Sequence, residues 1–183
     1  TNHSSNDFAP AWSPDGTQIA FSSNGNFISY EIYVMDADGS NPTNLTNDPS
    51  DDSAPEWSPY GTEIAFSSDR GTGFPHQDFP GPAGRWEHVQ AASVYLIHTD
   101  GTGLRKLTTD PDMMAGSPKW SSDGREIVFY ELPVRDPFRA RNGGGTSSIV
   151  SIDLATGERI VHARGSARWR ACTSSSVSHG AHA

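Results

Sequence analysis

The side chains best equipped for chemistry crowd into one stretch. From Arg70 to Val89 the chain runs Arg-Gly-Thr-Gly-Phe-Pro-His-Gln-Asp-Phe-Pro-Gly-Pro-Ala-Gly-Arg-Trp-Glu-His-Val, which sets Phe74, His76, Asp78, Phe79, Trp86, Glu87 and His88 close together. Aromatic faces can receive a sugar ring or a peptide side chain, and the His, Asp and Glu groups can orient polar atoms or take a divalent cation. The same residues also admit a structural reading, in which Phe74, Phe79 and Trp86 form the small core that a loop this long needs, stiffened by its prolines. His98 is the other candidate ligand-binding group, an imidazole at the end of an apolar run; as a structural residue it would simply be hydrogen-bonded there.

Other groupings carry less. Cys172, His179 and His182 are three metal-ligand types on a Ser/Ala/Gly-rich tail with no fourth in view. Asp36-Ala-Asp-Gly-Ser-Asn41 lacks the later bidentate Glu of a calcium loop and reads as a hairpin turn. Gly143 to Gly145 precede no Lys-Ser or Lys-Thr, so they read as a strand connection rather than a phosphate loop. There is no Gly-x-Ser-x-Gly elbow and no His-Glu-x-x-His pair. No catalytic residue is assigned, no cofactor is implied, and a divalent cation is the one ion the loop groups could take.

The elements that must position these residues are repeats. Pro10-Ala-Trp12-Ser-Pro-Asp-Gly16 recurs as Pro55-Glu-Trp57-Ser-Pro-Tyr-Gly61 and as Pro118-Lys-Trp120-Ser-Ser-Asp-Gly124. An alternating apolar pair follows each at one spacing: Ile19 and Phe21, Ile64 and Phe66, Ile127 and Phe129. That is the period of a strand with a buried face, and Ser-Pro-Asp-Gly supplies the hairpin turn, Pro fixing φ and Gly accepting a positive φ. A third strand comes next in each unit, Glu31 to Asp36, Ser93 to His98 and Ser148 to Asp153, closed by Asp38-Gly39, Asp100-Gly101 or Thr156-Gly157. Asn44-Leu-Thr46 and Lys106-Leu-Thr108 read as short outer strands. The fold class is therefore all-β, a propeller of four-stranded blades with three blades recognisable.

The blades fall at residues 8–52, 53–115 and 116–162, with a linker at 1–7, an insertion at 69–91 and a tail at 163–183 expected to be disordered. With 183 residues, 18 Gly and 13 Pro, the composition excludes a helix bundle, and no apolar run is long enough to span a bilayer.

Together, Trp-Ser-Pro-Asp-Gly-x-x-Ile-Ala-Phe-Ser-Ser, Ile-Tyr-Val-Met-Asp-Ala-Asp-Gly-Ser-Asn and Leu-Thr resemble the WD40-like repeat of the TolB-type β-propellers, over roughly residues 8 to 162. The departures are Tyr60 in the turn, His98 in place of Asp36 and Asp153, the insertion, and the tail. The resemblance implies a periplasmic or extracellular bacterial setting. It also implies a noncatalytic module binding a protein partner or a carbohydrate or peptide ligand. Similar propellers precede serine peptidase domains, so an accessory role to a peptidase or polysaccharide-degrading enzyme is the alternative.

Net charge is -9, which argues against general nucleic-acid binding. Its distribution is uneven: residues 1–69 hold eleven acidic groups and no Lys or Arg. An acidic half of this kind is either a solvated face or a surface steered toward a basic partner. Three blades leave open faces. The expectation is that further sequence completes the ring, or that two chains close it as a homo-oligomer, with Arg135, Arg139 and Arg141 on the contact.

Overall fold

A computed structural model describes residues 6–25, 29–71, 92–133 and 146–166. Twelve strands form three antiparallel four-stranded sheets, each joined in chain order. Blade 1 is β1 (Asp7–Trp12), β2 (Gln18–Ser23), β3 (Glu31–Asp36) and β4 (Thr43–Asn44). Blade 2 is β5 (Asp52–Trp57), β6 (Glu63–Ser68), β7 (Ser93–His98) and β8 (Arg105–Lys106). Blade 3 is β9 (Met113–Trp120), β10 (Glu126–Pro133), β11 (Thr146–Asp153) and β12 (Arg159–Ser166). The first strands of neighbouring blades touch one another, so β1, β5 and β9 lie on the inner side of the fan. The ring is open among the described residues, as the all-β, incomplete-propeller expectation holds.

The outer strands begin slightly earlier than the Leu-Thr pattern suggests, at Thr43 and Arg105, because it is Leu45 and Leu107 that turn inward as partly buried residues against the two cores. β12 runs to Ser166, into the segment read as tail.

Period-2 alternation decides the packing. From β6 and β7, Ile64, Phe66, Tyr95 and Ile97 pack with Ala20, Ile32 and Val34 of blade 1. The intervening Ala65, Val94 and Leu96 pack on the other side with Ile127, Phe129, Val150 and Ile152 of blade 3. The central strands of blade 2 are thus buried on both faces, and the cores are the joints between blades.

Two devices set each joint. The first is a bulge in every innermost strand, where the ladder slips beside Ala9, Ala54 and Ser117. These three residues hold φ of 52°, 54° and 50°, and each precedes a proline. The proline supplies no N–H to the ladder and disfavours the right-handed helical region for its predecessor. A left-handed conformation in a residue with a Cβ costs about 1–2 kcal/mol, so the packing it permits has to offset that strain. The second device is the tryptophan closing that strand. Trp57 Nε1 donates to the carbonyl of Ala11 across the blade boundary at 3.1 Å, and Trp120 Nε1 donates to that of Glu56 at 3.2 Å.

Tyr60, the departure in the second turn, has a use in this geometry. Its hydroxyl donates to the Asp123 carbonyl of the next blade's turn at 3.0 Å, and its ring lies over Gly124, where a Cβ would come within 2.7 Å. Gly124 is also at φ 67°, so glycine is required there twice over.

The indole bonds give the first prediction. Trp57→Phe and Trp120→Phe keep most of the apolar area but leave a carbonyl without its donor. Each is expected to lower the unfolding free energy by about 1 kcal/mol in urea titrations; no loss in either would show that packing alone sets the joint.

Candidate functional site

The blades have two ends, and they use their polar residues differently. At the turn end, short side chains lock the hairpins. Asp15 Oδ1 accepts from the Ser13 hydroxyl and from the Thr17 N–H and hydroxyl; Asp123 Oδ1 accepts from the Ser121 hydroxyl and the Arg125 N–H. Asp100 and Asp153 accept from Thr102 and Thr156 in the same manner. These bonds favour the ionised form and hold each of the four carboxyls below its ordinary value, the Ser13, Ser121 and Thr102 hydroxyls and the Thr156 N–H being the largest causes. The Asp36/Asp38 pair likewise serves its own turn: Asp38 Oδ1 accepts the Ser40 N–H, and Asp36 Oδ2 accepts the Asn41 amide at 2.7 Å.

A cleft of about 330 Å³ opens at this end between blades 1 and 2. Gln18, Asp36, Asn41 and Asn44 line one side, Thr99 and Asp100 the other, over a floor that includes Val34 and Leu45. Amides, a hydroxyl and two carboxylates over a narrow apolar strip suit a polar or cationic guest. His98 ends the strand that leads into this turn. Its Nδ1 is 3.3 Å from the Thr102 hydroxyl and its ring rests on Gly103, where a Cβ would come within 2.7 Å. Its Nε2 is 3.9 Å from Glu63 Oε1, which also takes the Arg105 guanidinium at 3.1 Å. The imidazole is half exposed, so it is both hydrogen-bonded and reachable.

At the other end lies a buried charged cluster. Glu31, almost wholly buried, accepts from the Ser29 hydroxyl at 2.8 Å, the Thr46 hydroxyl at 2.6 Å and the Asp48 N–H. Asp52, fully buried, takes Arg70 on Oδ2 at 2.6 Å, while its Oδ1 meets no donor among the described residues. The Arg70 guanidinium also bonds Ser68 Oγ and lies 5.6 and 5.5 Å from the ring centres of Phe66 and Tyr95. Tyr95 donates its hydroxyl to the Arg70 carbonyl, and Asp69 accepts the Asp51 N–H. The cluster ties three loops together at the point where the chain enters the 72–91 stretch.

Burial pushes the Asp52 carboxyl up to about 7, with Arg70 acting in the opposite direction as the next largest cause. The sequence offered no signal for this site, because Glu31 and Asp52 stand in blade 1 and blade 2 where the other repeats carry Ser93 and Ala115 or Ser148 and Asp7. Asp52 meets Arg70 across the β5–β6 ladder of blade 2, whereas Glu31 comes beside them through the contact between blades.

Of the ligand-binding and contact residues expected from sequence, His98 falls within the described structure. Phe74, His76, Asp78, Phe79, Trp86 and His88, and the contact residues Arg135, Arg139 and Arg141, lie outside the described residues.

Three four-stranded meanders packed around a common inner edge define a β-propeller of repeated blades. Comparison with known proteins refines this: residues 1–76 match the TolB beta propeller domain, PD40. The fold is also that of a TolB protein from Agrobacterium tumefaciens, at 22% identity over 90% of this chain and 50% of that one, TM-score 0.66. TolB from Acinetobacter baumannii is similar at 24% identity over 84% and 31% of the two chains, TM-score 0.58. An oligogalacturonate lyase in complex with manganese is similar at 16% identity over 90% and 43%, TM-score 0.59. No curated protein matches. The chain is a TolB-like β-propeller in fold, and it spans half or less of the solved structures it resembles.

The raised Asp52 pKa makes stability depend on pH with a definite sign. Between the ordinary carboxylate range and about 7, the folded chain holds a proton that the unfolded chain has released. Stability from this group is therefore full at low pH, falls as pH rises through that window, and levels off above it. Relative to Asp52→Asn, the native chain should lose stability with a slope approaching about 1.4 kcal/mol per pH unit. Urea unfolding of both proteins across the window reads this directly; parallel curves would place the Asp52 pKa at its ordinary value.

Proposed function

We propose that the chain is a noncatalytic binding module of a bacterial envelope or secreted protein, and that its partner is a protein or peptide segment carrying positive charge. The carrying observation is the cleft between blades 1 and 2, lined by Asp36 and Asp100 together with Gln18, Asn41 and Asn44. It is open and polar, which fits an extended peptide better than an enclosed small molecule. The half of the chain around it, with eleven acidic residues against no Lys or Arg, steers cations toward it. Likeness to TolB proteins supports the envelope setting.

The second reading is an accessory propeller of a polysaccharide-degrading enzyme, favoured by the fold shared with the oligogalacturonate lyase. A polyanionic sugar would meet an acidic cleft, so the electrostatics weigh toward the cationic peptide.

The test is NMR titration of the labelled chain with an Arg/Lys-rich peptide and, separately, with oligogalacturonate. The peptide is expected to move the amide signals of Gln18, Asp36, Asn41, Asn44 and Asp100, with affinity falling as salt rises. Asp36→Asn with Asp100→Asn should weaken it by roughly tenfold, about 1.4 kcal/mol. Shifts at the cleft with the sugar but not with the peptide would sink the proposal in favour of the second reading.

A further inference from the structure

The turn that walls the cleft has a second polar group on its other side, at positions equivalent to the first but opposite in charge. Register fixes the equivalence. Gln18 pairs with Asp36 and Val34 with Thr43 in blade 1, as Glu63 pairs with His98 and Leu96 with Arg105 in blade 2. The turns that follow match as well, Asp36 N–H donating to the Ser40 carbonyl and His98 N–H to that of Thr102. Alternation puts Gln18, Asp36 and Thr43 on the side of blade 1 that faces blade 2, with Ala20 and Val34. It puts Glu63, His98 and Arg105 on the side of blade 2 that faces blade 3, with Ala65 and Leu96. An amide, a carboxylate and a hydroxyl at one boundary thus become a carboxylate, an imidazole and a guanidinium at the next.

The exchange is concerted. In blade 1, Asn41 holds the left-handed position of the turn at φ 51°, and its amide bonds Asp36 Oδ2. In blade 2 that position is Gly103 at φ 69°, and the His98 ring takes up the room, since a Cβ there would come within 2.7 Å of it. Glu63 is the deepest of the new group, with Arg105 and His98 each about half exposed above it. Glu63 Oε1 meets Arg105 at Nη2, and the other guanidinium donors have no partner among the described residues.

Thr102 ties the two sides of the turn together. Its hydroxyl has one proton, which goes to Asp100 Oδ1 at 2.6 Å, so the 3.3 Å contact with His98 Nδ1 requires the ring to donate there. Nε2 is then the nitrogen left toward Glu63 and the solvent. On the cleft side, the bonds to Asp36 fall on Oδ2 and those to Asp100 on Oδ1, so each carboxylate keeps one oxygen uncommitted among the described residues.

We infer that the turn at 98–103 is the shared wall of two oppositely charged subsites. The partner is an extended peptide segment whose Lys or Arg enters the cleft at Asp36 and Asp100, while an Asp or Glu of the same segment pairs with Arg105 and His98 beyond the turn. This rests on the reading of the cleft as a peptide site and adds an anionic requirement to it. Packed sheets lie about 10 Å apart and an extended chain advances about 3.3 Å per residue, so the two charges stand roughly three to four residues apart. A carboxylate matches the planar guanidinium fork with both oxygens. A uniformly basic segment would instead set a cation against Arg105, so the pair of subsites discriminates among the cations that the acidic half attracts.

The experiment titrates the labelled 183-residue chain at low salt with two synthetic Gly/Ser peptides. One carries a Lys and a Glu roughly four residues apart, the other a Lys and a Gln at the same places. Both are expected to move the amide signals of Asp36 and Asp100, and the Lys/Glu peptide alone those of His98 and Arg105. It should also bind about two- to fivefold tighter, the range of an exposed ion pair. Glu63→Gln with Arg105→Thr gives blade 2 the residues of blade 1 and leaves no unpaired charge. It should erase the difference between the peptides and leave the Lys/Gln affinity unchanged, whereas Asp36→Asn with Asp100→Asn should weaken both alike. Should the Glu63/Arg105 variant fail to fold by circular dichroism, His98→Ala replaces it and should shrink the difference. Equal or reversed affinities, or a preference that these variants leave in place, overturn the second subsite while the cleft stands. Cleft signals that neither peptide moves overturn the cleft reading, and this inference with it.

Discussion

The rest of the molecule depends on one interaction: the closing tryptophan of an innermost strand reaching across a blade boundary to the carbonyl before the previous blade's tryptophan. It sets the distance between sheets together with the backbone bonds from Asp52 N–H to the Tyr30 carbonyl and from Ala115 N–H to the Ala92 carbonyl, which cross the same two boundaries. The bulges at Ala9, Ala54 and Ser117 sit three residues upstream of each tryptophan and bend the strand beside it. Strain is thus placed in the backbone where the joint is made. Because β6 and β7 present apolar side chains to both neighbours, blade 2 has no core of its own. Its stability is the sum of two joints, as in other repeat architectures whose units contact only their neighbours.

Much of this was legible in the sequence because the repeat is periodic at two levels. The recurrence of Trp-Ser-Pro-Asp-Gly gave the number of blades, and alternation at Ile64 and Phe66 gave the buried face of a strand. What alternation cannot give is burial of the opposite face: Ala65, Val94 and Leu96 belong to a second core that exists only because another blade packs there. The bulge was hidden for a related reason. Ala-Pro and Ser-Pro are compatible with an extended strand, and a positive φ at the first residue is favoured by tertiary packing rather than by local preference. His98 was legible as a departure from Asp36 and Asp153, and its contacts with Thr102 and Glu63 explain how an imidazole is held there. The Glu31–Asp52–Arg70 cluster was not legible, since its members lie 18 to 39 residues apart: Asp52 and Arg70 meet through the β5–β6 ladder, and Glu31 joins them only because blade 1 packs on blade 2.

The uneven charge resolves into three kinds of carboxylate. Asp15, Asp100, Asp123 and Asp153 accept hydrogen bonds inside turns and are there for backbone geometry. Glu31, Asp52 and Glu131 are buried and held by hydroxyls, N–H groups or arginine, Asp52 through Arg70 on one oxygen alone and Glu131 through Arg159. Asp36 and Asp100 also border the cleft, so Asp100 belongs to two classes at once. The turn carboxylates keep their negative charge at the surface, since the same hydrogen bonds favour the ionised form, while the buried ones are engaged inside the fold.

Since the scaffold residues are shared by every blade, they cannot encode what distinguishes this chain; the departures must. Two departures at opposite ends of blade 2 follow the same logic. At one end Arg70 pairs with Asp52, where the equivalents of Arg70 in the other blades are Gly25 and Pro133, and fastens the chain where it leaves β6 for the 72–91 stretch. At the other, His98, Glu63 and Arg105 form a polar row beside the turn that walls the cleft. A charge buried in a joint is costly unless the loops it ties are worth holding, and a half-exposed imidazole beside a cleft is more than a turn requires. Blade 2 is thus the blade in which the repeat departs furthest from its neighbours within the described residues, and the two joints beside it hold those departures on a rigid frame.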